Sequence, residues 1–387
     1  MNVLNVPTPA FMADEELQLF ADSAERFLDD AAKPEAVAAW RAEGIVPRSA
    51  WRKAADAGLL CLSTSTENGG VGGDFRHEVV LMRALGRRGI EGWDIALHNG
   101  IVAPYIETFG TDEQKQRWLP KMASGEFITA IAMTEPGVGS DLQGVRTTAR
   151  KRDGGYLING AKTFITNGQN ADLIFVVCKT DPTLGAKGIS LLAVEAAQAQ
   201  GFERGRNLDK IGRDLSDTSE LFFNDVYVPD ANLLGAAEGR GFFQLMEKLP
   251  QERLIIAVQC IAAIEFALAV TLDYVKQRKA FGKPILEFQN TQFTLADLKT
   301  EATIAQVFVN HCTDLLLKGQ LDSATASMAK LWVSELHCKV VDACLQLHGG
   351  FGYMNEYPIA QAYKDARVNR IYGGTSEIMK LLIARTL

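Results

Sequence analysis

The residues whose types could do chemistry begin with Leu249-Pro250-Gln251-Glu252-Arg253-Leu254, which opens a long apolar run reaching about Val275. Pro250 suits the first position of a helix, where its missing N–H costs nothing. Glu252 and Arg253 are then expected in the first turn of a buried helix. One explanation for a carboxylate and a guanidinium carried into a core is structural: Glu252 complements the positive helix end, worth about 0.3–1 kcal/mol, and pairs with Arg253. The other is chemical: Glu252 is a general base in a dry pocket, its pKa moved by desolvation toward the working pH. This segment alone leaves both open.

A second group is Thr134-Glu135-Pro136-Gly137-Val138-Gly139-Ser140-Asp141. Its glycines let backbone N–H groups face a ligand without side chains in the way. A lone Gly-x-Gly-Ser is a turn signal; the whole octet, after an apolar strand at 127–133 and before a hairpin, is more specific. The glycine-rich stretch 68–73 reads as a loop between helices. The five histidines lack ligand spacing and the six cysteines form no Cys-x-x-Cys. No metal is expected, and the thiols read as reduced, in a cytoplasmic protein.

The elements that must position these residues follow an α, β, α order. Asp14 is a candidate N-cap, with Leu17, Phe20, Ala21, Ala24, Phe27 and Leu28 at helical spacing behind it. Thr111 and Gln114 make a capping box. Residues 127–228 change to β patterning, with hairpin turns expected at Asp153-Gly154-Gly155 and Asn159-Gly160 and buried strands at 173–178 and 188–194. Helical signals return over 242–278, 285–318, 322–347, 359–366 and 376–385. The fold class is α+β: an N-terminal helical domain (1–125), a middle β-barrel or sandwich domain (126–235) and a C-terminal four-helix bundle (236–387). With 387 residues and net charge −7, no basic face for nucleic acid is expected. No charge-free apolar run of about 18 residues predicts a membrane span, and residues 1–11 carry no export signal.

The octet, together with Lys162-Thr163-Phe164-Ile165-Thr166-Asn167-Gly168, Arg278-Lys279-Ala280-Phe281-Gly282-Lys283-Pro284, Gln346-Leu347-His348-Gly349-Gly350-Phe351-Gly352-Tyr353 and Tyr372-Gly373-Gly374-Thr375-Ser376-Glu377, resembles the acyl-CoA dehydrogenase flavoproteins. The resemblance spans essentially the whole chain and is nearest the long-chain branch. It implies a non-covalent FAD between the β domain and the C-terminal helices. Ile131, Met133 and Thr134 would meet the flavin ring, with Phe164 beside it where the family often has Trp, and Thr166 near the ring or ribityl chain. Arg278, Phe281, Gln289, Gln346, Gly349 and Gly350 would reach the FAD of a neighbouring subunit in a homotetramer built as a dimer of dimers. Thr375, Ser376 and Glu377 would lie near the pyrophosphate. Ser140 would lie where cofactor and CoA pass, and Phe243, Arg253, Gly373 and Gly374 would line the substrate.

One departure matters. Many members carry the catalytic Glu in a Tyr-Glu-Gly-Thr motif, and this chain has Gly373 there. In the long-chain and isovaleryl branches the base comes instead from a C-terminal-domain helix, next to an Arg, as at Glu252-Arg253. The implied reaction is α,β-dehydrogenation of an acyl-CoA: Glu252 takes the α-proton, the backbone N–H of Gly373 supports the thioester oxygen, and electrons pass to an electron-transfer flavoprotein. Two other readings are an oxygen-using acyl-CoA oxidase, expected to be a longer chain, and a monooxygenase-like or catalytically silent flavoprotein. Acyl specificity is expected to be set near residues 93–104.

Overall fold

Asp14 caps the first long helix as its spacing predicts, its carboxylate accepting from the Leu17 N–H at 2.7 Å. The computed structural model describes residues 3–387, so the start of the 1–11 stretch lies outside the described residues. The N-terminal helices are α1 (Glu15–Ala31), α2 (Pro34–Glu43), α3 (Arg48–Asp56), α4 (Phe75–Gly86), α5 (Ile95–Leu97), α6 (Ala103–Phe109) and α7 (Asp112–Ala123). Between α5 and α6 the chain winds as a π-helix, His98–Val102. The capping box of α7 forms as read, Thr111 accepting from the Gln114 N–H and Gln114 accepting from the Thr111 N–H.

Seven strands follow: β1 (Thr129–Ala132), β2 (Thr148–Arg152), β3 (Gly155–Thr166), β4 (Leu173–Lys179), β5 (Ile189–Glu195), β6 (Phe202–Asn207) and β7 (Thr218–Pro229). They form one mixed sheet in the order β1-β4-β2-β3-β7-β6, with β5 added on β4. Its curl closes around Ile158, Ile174, Val176, Leu192, Leu221 and Phe223, all buried.

The turn expected at Asp153-Gly154 joins β2 to β3, but the one expected at Asn159-Gly160 does not exist. β3 runs straight through both residues, and the register shifts there as at a β-bulge. A side chain at position 160 would strike Thr147 Oγ1 at 2.4 Å, so the glycine serves a close backbone approach. β6, mostly exposed and rich in charge, has no apolar alternation and was not read from the sequence.

The C-terminal part holds α8 (Gly241–Gln277), a two-strand turn of β8 (Lys279–Ala280) and β9 (Lys283–Pro284), then α9 (Gln289–Leu317), α10 (Ser323–His348), α11 (Pro358–Ala366) and α12 (Ser376–Ala384). α8 packs on α4, α9 and α10, while α11 and α12 close the bundle against α10. α8 is apolar enough to pass for a membrane span by length and composition, with a window of mean hydropathy 2.3, although Glu265 breaks its apolar stretch, as expected of a chain with no charge-free run of that length. That window is 78% buried within the fold, which makes α8 the core helix.

Candidate active site

Pro250 lies inside α8 rather than at its start. The preceding turns stay helical because they are anchored: Leu245 is fully buried and Gln244 donates to the Leu234 carbonyl at 3.3 Å. Glu252 is therefore well inside the helix, beyond the first turn in which the dipole acts. The local-pair explanation fails as well. Neighbouring helix residues do not face each other, and Arg253 points toward α10, donating to Ser323 Oγ at 2.9 Å and Ser327 Oγ at 3.3 Å.

Glu252 is left only 6% exposed, and the Tyr105 hydroxyl donates to its Oε1 at 2.7 Å. Burial pushes its carboxyl up to about 7, against the opposing pull of the Tyr105 hydrogen bond and the Arg253 charge. Burial also holds the Tyr105 hydroxyl well above its ordinary value, so it remains a donor across the working range.

Gly373 meets this carboxylate's helix. It has φ +64°, and a Cβ there would lie 2.3 Å from Ile256 Cδ1, one turn beyond Glu252 on the same face of α8. No acceptor among the described residues takes the Gly373 N–H. The Gly374 carbonyl accepts from Lys330 Nζ at 2.6 Å. Lys330 is fully buried on α10, and burial draws its ammonium down to about 8. The 93–104 segment arrives from the other side: the Gly100 carbonyl accepts from Gln251 Nε2 at 2.7 Å, and a Cβ on Gly100 would lie 2.7 Å from Ile255 Cδ1.

The octet and β3 build a second patch. Ala130 and Ala132 face the sheet's core, and the strand alternation sends Ile131 and Met133 to the opposite, half-buried side. Thr163 N–H donates to the Thr134 carbonyl at 3.0 Å, joining the end of β1 to β3. Phe164 follows with φ +60° and 67% exposure, between buried Thr163 and Ile165; Thr166 is half-buried. An exposed ring on a rigid strand, held at a backbone angle that costs a non-glycine residue about 1–3 kcal/mol, next to the residue that bonds Thr134, fits a planar aromatic group such as a flavin. Ser140 is exposed on the octet's outer turn.

The remaining residues fall elsewhere. Arg278, Phe281, Gln289, Gln346, Gly349 and Gly350 are all exposed at one end of the bundle, where the Arg278 guanidinium lies 5.5 Å from the Phe351 ring centre. Thr375 caps α12, accepting from the Ile378 N–H at 3.4 Å. Ser376 is buried and donates to Glu335 at 2.6 Å, so its hydroxyl is committed to the fold. Glu377 is exposed, as is nearly half of Phe243. Tyr105 and Lys330 were missed from the sequence. A lone lysine in the apolar stretch 326–333 was a usable signal; nothing local marks Tyr105, 147 positions from its partner.

Comparison with known proteins places the chain's fold and family. Models of the acyl-CoA dehydrogenase N-terminal, middle and C-terminal domains match residues 14–126, 130–226 and 239–387. The chain is 48% identical to the mitochondrial long-chain specific acyl-CoA dehydrogenase of Mus musculus over 374 residues, which is 96% of this chain and 86% of that one. A crystal structure of an acyl-CoA dehydrogenase from Geobacillus kaustophilus superposes with TM-score 0.94 at 48% identity, covering 98% of this chain and 99% of that one. A chain from a structure described as the electron transferring flavoprotein of Acidaminococcus fermentans, bearing on flavin-based electron bifurcation, superposes with TM-score 0.92 at 35% identity, over 98% and 99% of the two chains.

Proposed function

The chain belongs to the acyl-CoA dehydrogenase family, and on that premise we propose that it dehydrogenates an acyl-CoA to the trans-2-enoyl-CoA with Glu252 as the base. The observation that carries the reading is the position of Glu252: buried, supported by one neutral hydroxyl, held near pH 7, and one helical turn from the contact with Gly373. A base needs that poise, since a carboxylate locked in an ion pair has little affinity for a proton.

The Gly373 N–H is left free to donate to the thioester oxygen as charge grows there. Losing a side chain at 373 costs nothing in this role, because the donor is backbone. Tyr105 holds the Glu252 carboxylate in place, and Arg253, turned to α10, leaves it unneutralised. The π-helix segment packs on the same face of α8 and supports a role for residues 93–104 in acyl selection.

Family members are FAD flavoproteins. Here Ile131, Met133, Thr134, Phe164 and Thr166 would hold the ring, and Thr375 and Glu377 the pyrophosphate side. Bound FAD supplies the acceptor for the β-hydride. Exposed Arg278, Phe281, Gln289, Gln346, Gly349 and Gly350 suit a neighbouring subunit's cofactor. Exposed Phe293, Ile304, Val307, Met328 and Trp332 on α9 and α10 support a homotetramer. Ser140, Phe243 and Gly374 are assigned to substrate, the electron acceptor is an electron-transfer flavoprotein, and six free cysteines suit a cytoplasmic setting.

The test is rapid mixing of purified protein with straight and branched saturated acyl-CoAs. The reading requires anaerobic bleaching of the flavin absorbance and only slow oxygen uptake without an added acceptor. A flavin that no acyl-CoA bleaches contradicts it, and rapid oxygen-dependent turnover replaces the dehydrogenase by an oxidase.

A further inference from the structure

Gly373 is flanked by two residues that are each tied down from a distance. Before it, the Tyr372 hydroxyl donates to Asn369 Oδ1 at 2.5 Å and accepts from the Arg213 guanidinium at 3.3 Å. Arg213 belongs to the loop between β6 and β7, and it is only 7% exposed. Its other terminal nitrogen donates to Asp94 Oδ1 at 2.6 Å, just ahead of α5, and Asp94 also accepts from the Ser216 hydroxyl. The Arg213 backbone N–H donates to Asp365 on α11. A Cβ on Gly212 would lie 2.4 Å from the Lys364 backbone, so the loop is pressed onto α11. One buried guanidinium thus joins N-terminal helices, sheet and C-terminal bundle at the residue before Gly373. After it, the Gly374 carbonyl is held by buried Lys330.

We propose that Arg213 and Lys330 are positioning residues for the Gly373 N–H, pinning Tyr372 by its hydroxyl and Gly374 by its carbonyl so that the free N–H between them stays aimed at the thioester oxygen. This rests on the reading of Gly373 as the oxyanion donor. The need is physical. Gly373 and Gly374 have φ of +64° and +100°, outside the range that ordinary residues hold by preference. A two-glycine turn has no side chains of its own to fix it. A donor misplaced by about 1 Å costs on the order of 10²-fold in rate.

The readout is the infrared stretch of the bound thioester carbonyl, which falls as the oxygen accepts stronger hydrogen bonds. Holoenzyme carrying Glu252→Gln, which cannot turn over, is loaded with an acyl-CoA labelled with carbon-13 at that carbonyl. Its band should lie below that of the free thioester in water. Arg213→Met and Lys330→Met should each move the band back up. In enzyme with Glu252 intact they should lower kcat by roughly 10–100-fold, with KM changing far less. Lys330→Arg should keep part of the shift. Tyr372→Phe, which removes only a hydroxyl and keeps the fold's packing, should move band and kcat in the same direction and decides the matter if Arg213→Met does not fold. Folded, FAD-replete Arg213→Met or Tyr372→Phe enzyme with the parent band and parent kcat overturns the proposal. A parent band equal to that of free thioester overturns the Gly373 donor itself, which is a separate result.

Discussion

Two buried carboxylates in this protein are built in opposite ways. Glu135, in the octet, accepts from the Arg146 N–H at 2.7 Å, the Thr147 N–H at 2.9 Å and Lys162 Nζ at 2.9 Å. Lys162 is itself fully buried and also donates to the Met133 carbonyl at 2.9 Å. Glu252 has one neutral donor and a cationic neighbour turned away. Burial pushes both carboxyls up, but at Glu135 the Lys162 charge and the two N–H groups win and hold it below its ordinary value. At Glu252 burial wins. A fully partnered carboxylate is a strut; an under-partnered one can take a proton.

The sharpest way to break the comparison is to exchange each acid for its amide. Glu252→Gln keeps shape and should leave FAD content and acyl-CoA binding nearly normal, while turnover falls about 10²–10⁴-fold, the usual general-base contribution. A variant that keeps near-normal turnover removes Glu252 from the mechanism. Glu135→Gln should do the reverse. It strands the Lys162 ammonium and should cost about 3–5 kcal/mol of stability, read as a lower denaturation midpoint and lost FAD. If it unfolds no more easily than the parent, Glu135 is no strut.

The two sites also respond to acid with opposite sign. Glu135 has a depressed pKa, so its contribution is present above about pH 4.5 and is lost on acidification. Glu252 has a raised one, so the folded state favours its neutral form, and stability from this group declines as pH rises from about 4.5 to about 7. The denaturation midpoint of Glu252→Gln relative to the parent should therefore climb through that window and level off above it.

Tyr105→Phe is the smallest change. Removing a donor to the charged form raises the Glu252 pKa further, so the acid limb of kcat/KM, placed near pH 7 in the parent, should move to higher pH. An unmoved limb means that the hydroxyl does not act on the base.

What was legible in the chain divides along the same line. Caps and the α, β, α order are local or motif-borne, so the sequence shows them; the placing of the base at Glu252, with Gly373 opposite, comes from the family resemblance alone. The position of Pro250 was misread because helix-starting signals at Pro250 are also tolerated inside a helix whose flanks are anchored by burial. The Asn159-Gly160 turn was misread because a bulge needs the same glycine. Tyr105, Lys330 and the reach of Arg213 come from contacts distant in the chain, which no spacing records. The structure also shows that moving the base to 373 is not a simple swap: a side chain there meets Ile256 and an unfavourable φ.

The central claim is that Glu252 takes the α-proton, and proton exchange reads that step without any oxidation. Holoenzyme is mixed in D2O with an acyl-CoA that has an α-hydrogen but no β-hydrogen, and deuterium entry at the α-carbon is followed by mass. The account predicts enzyme-dependent exchange that rises with pH through about 7 and falls at least about 10²-fold in Glu252→Gln. Equal exchange rates in the parent and in Glu252→Gln would contradict it.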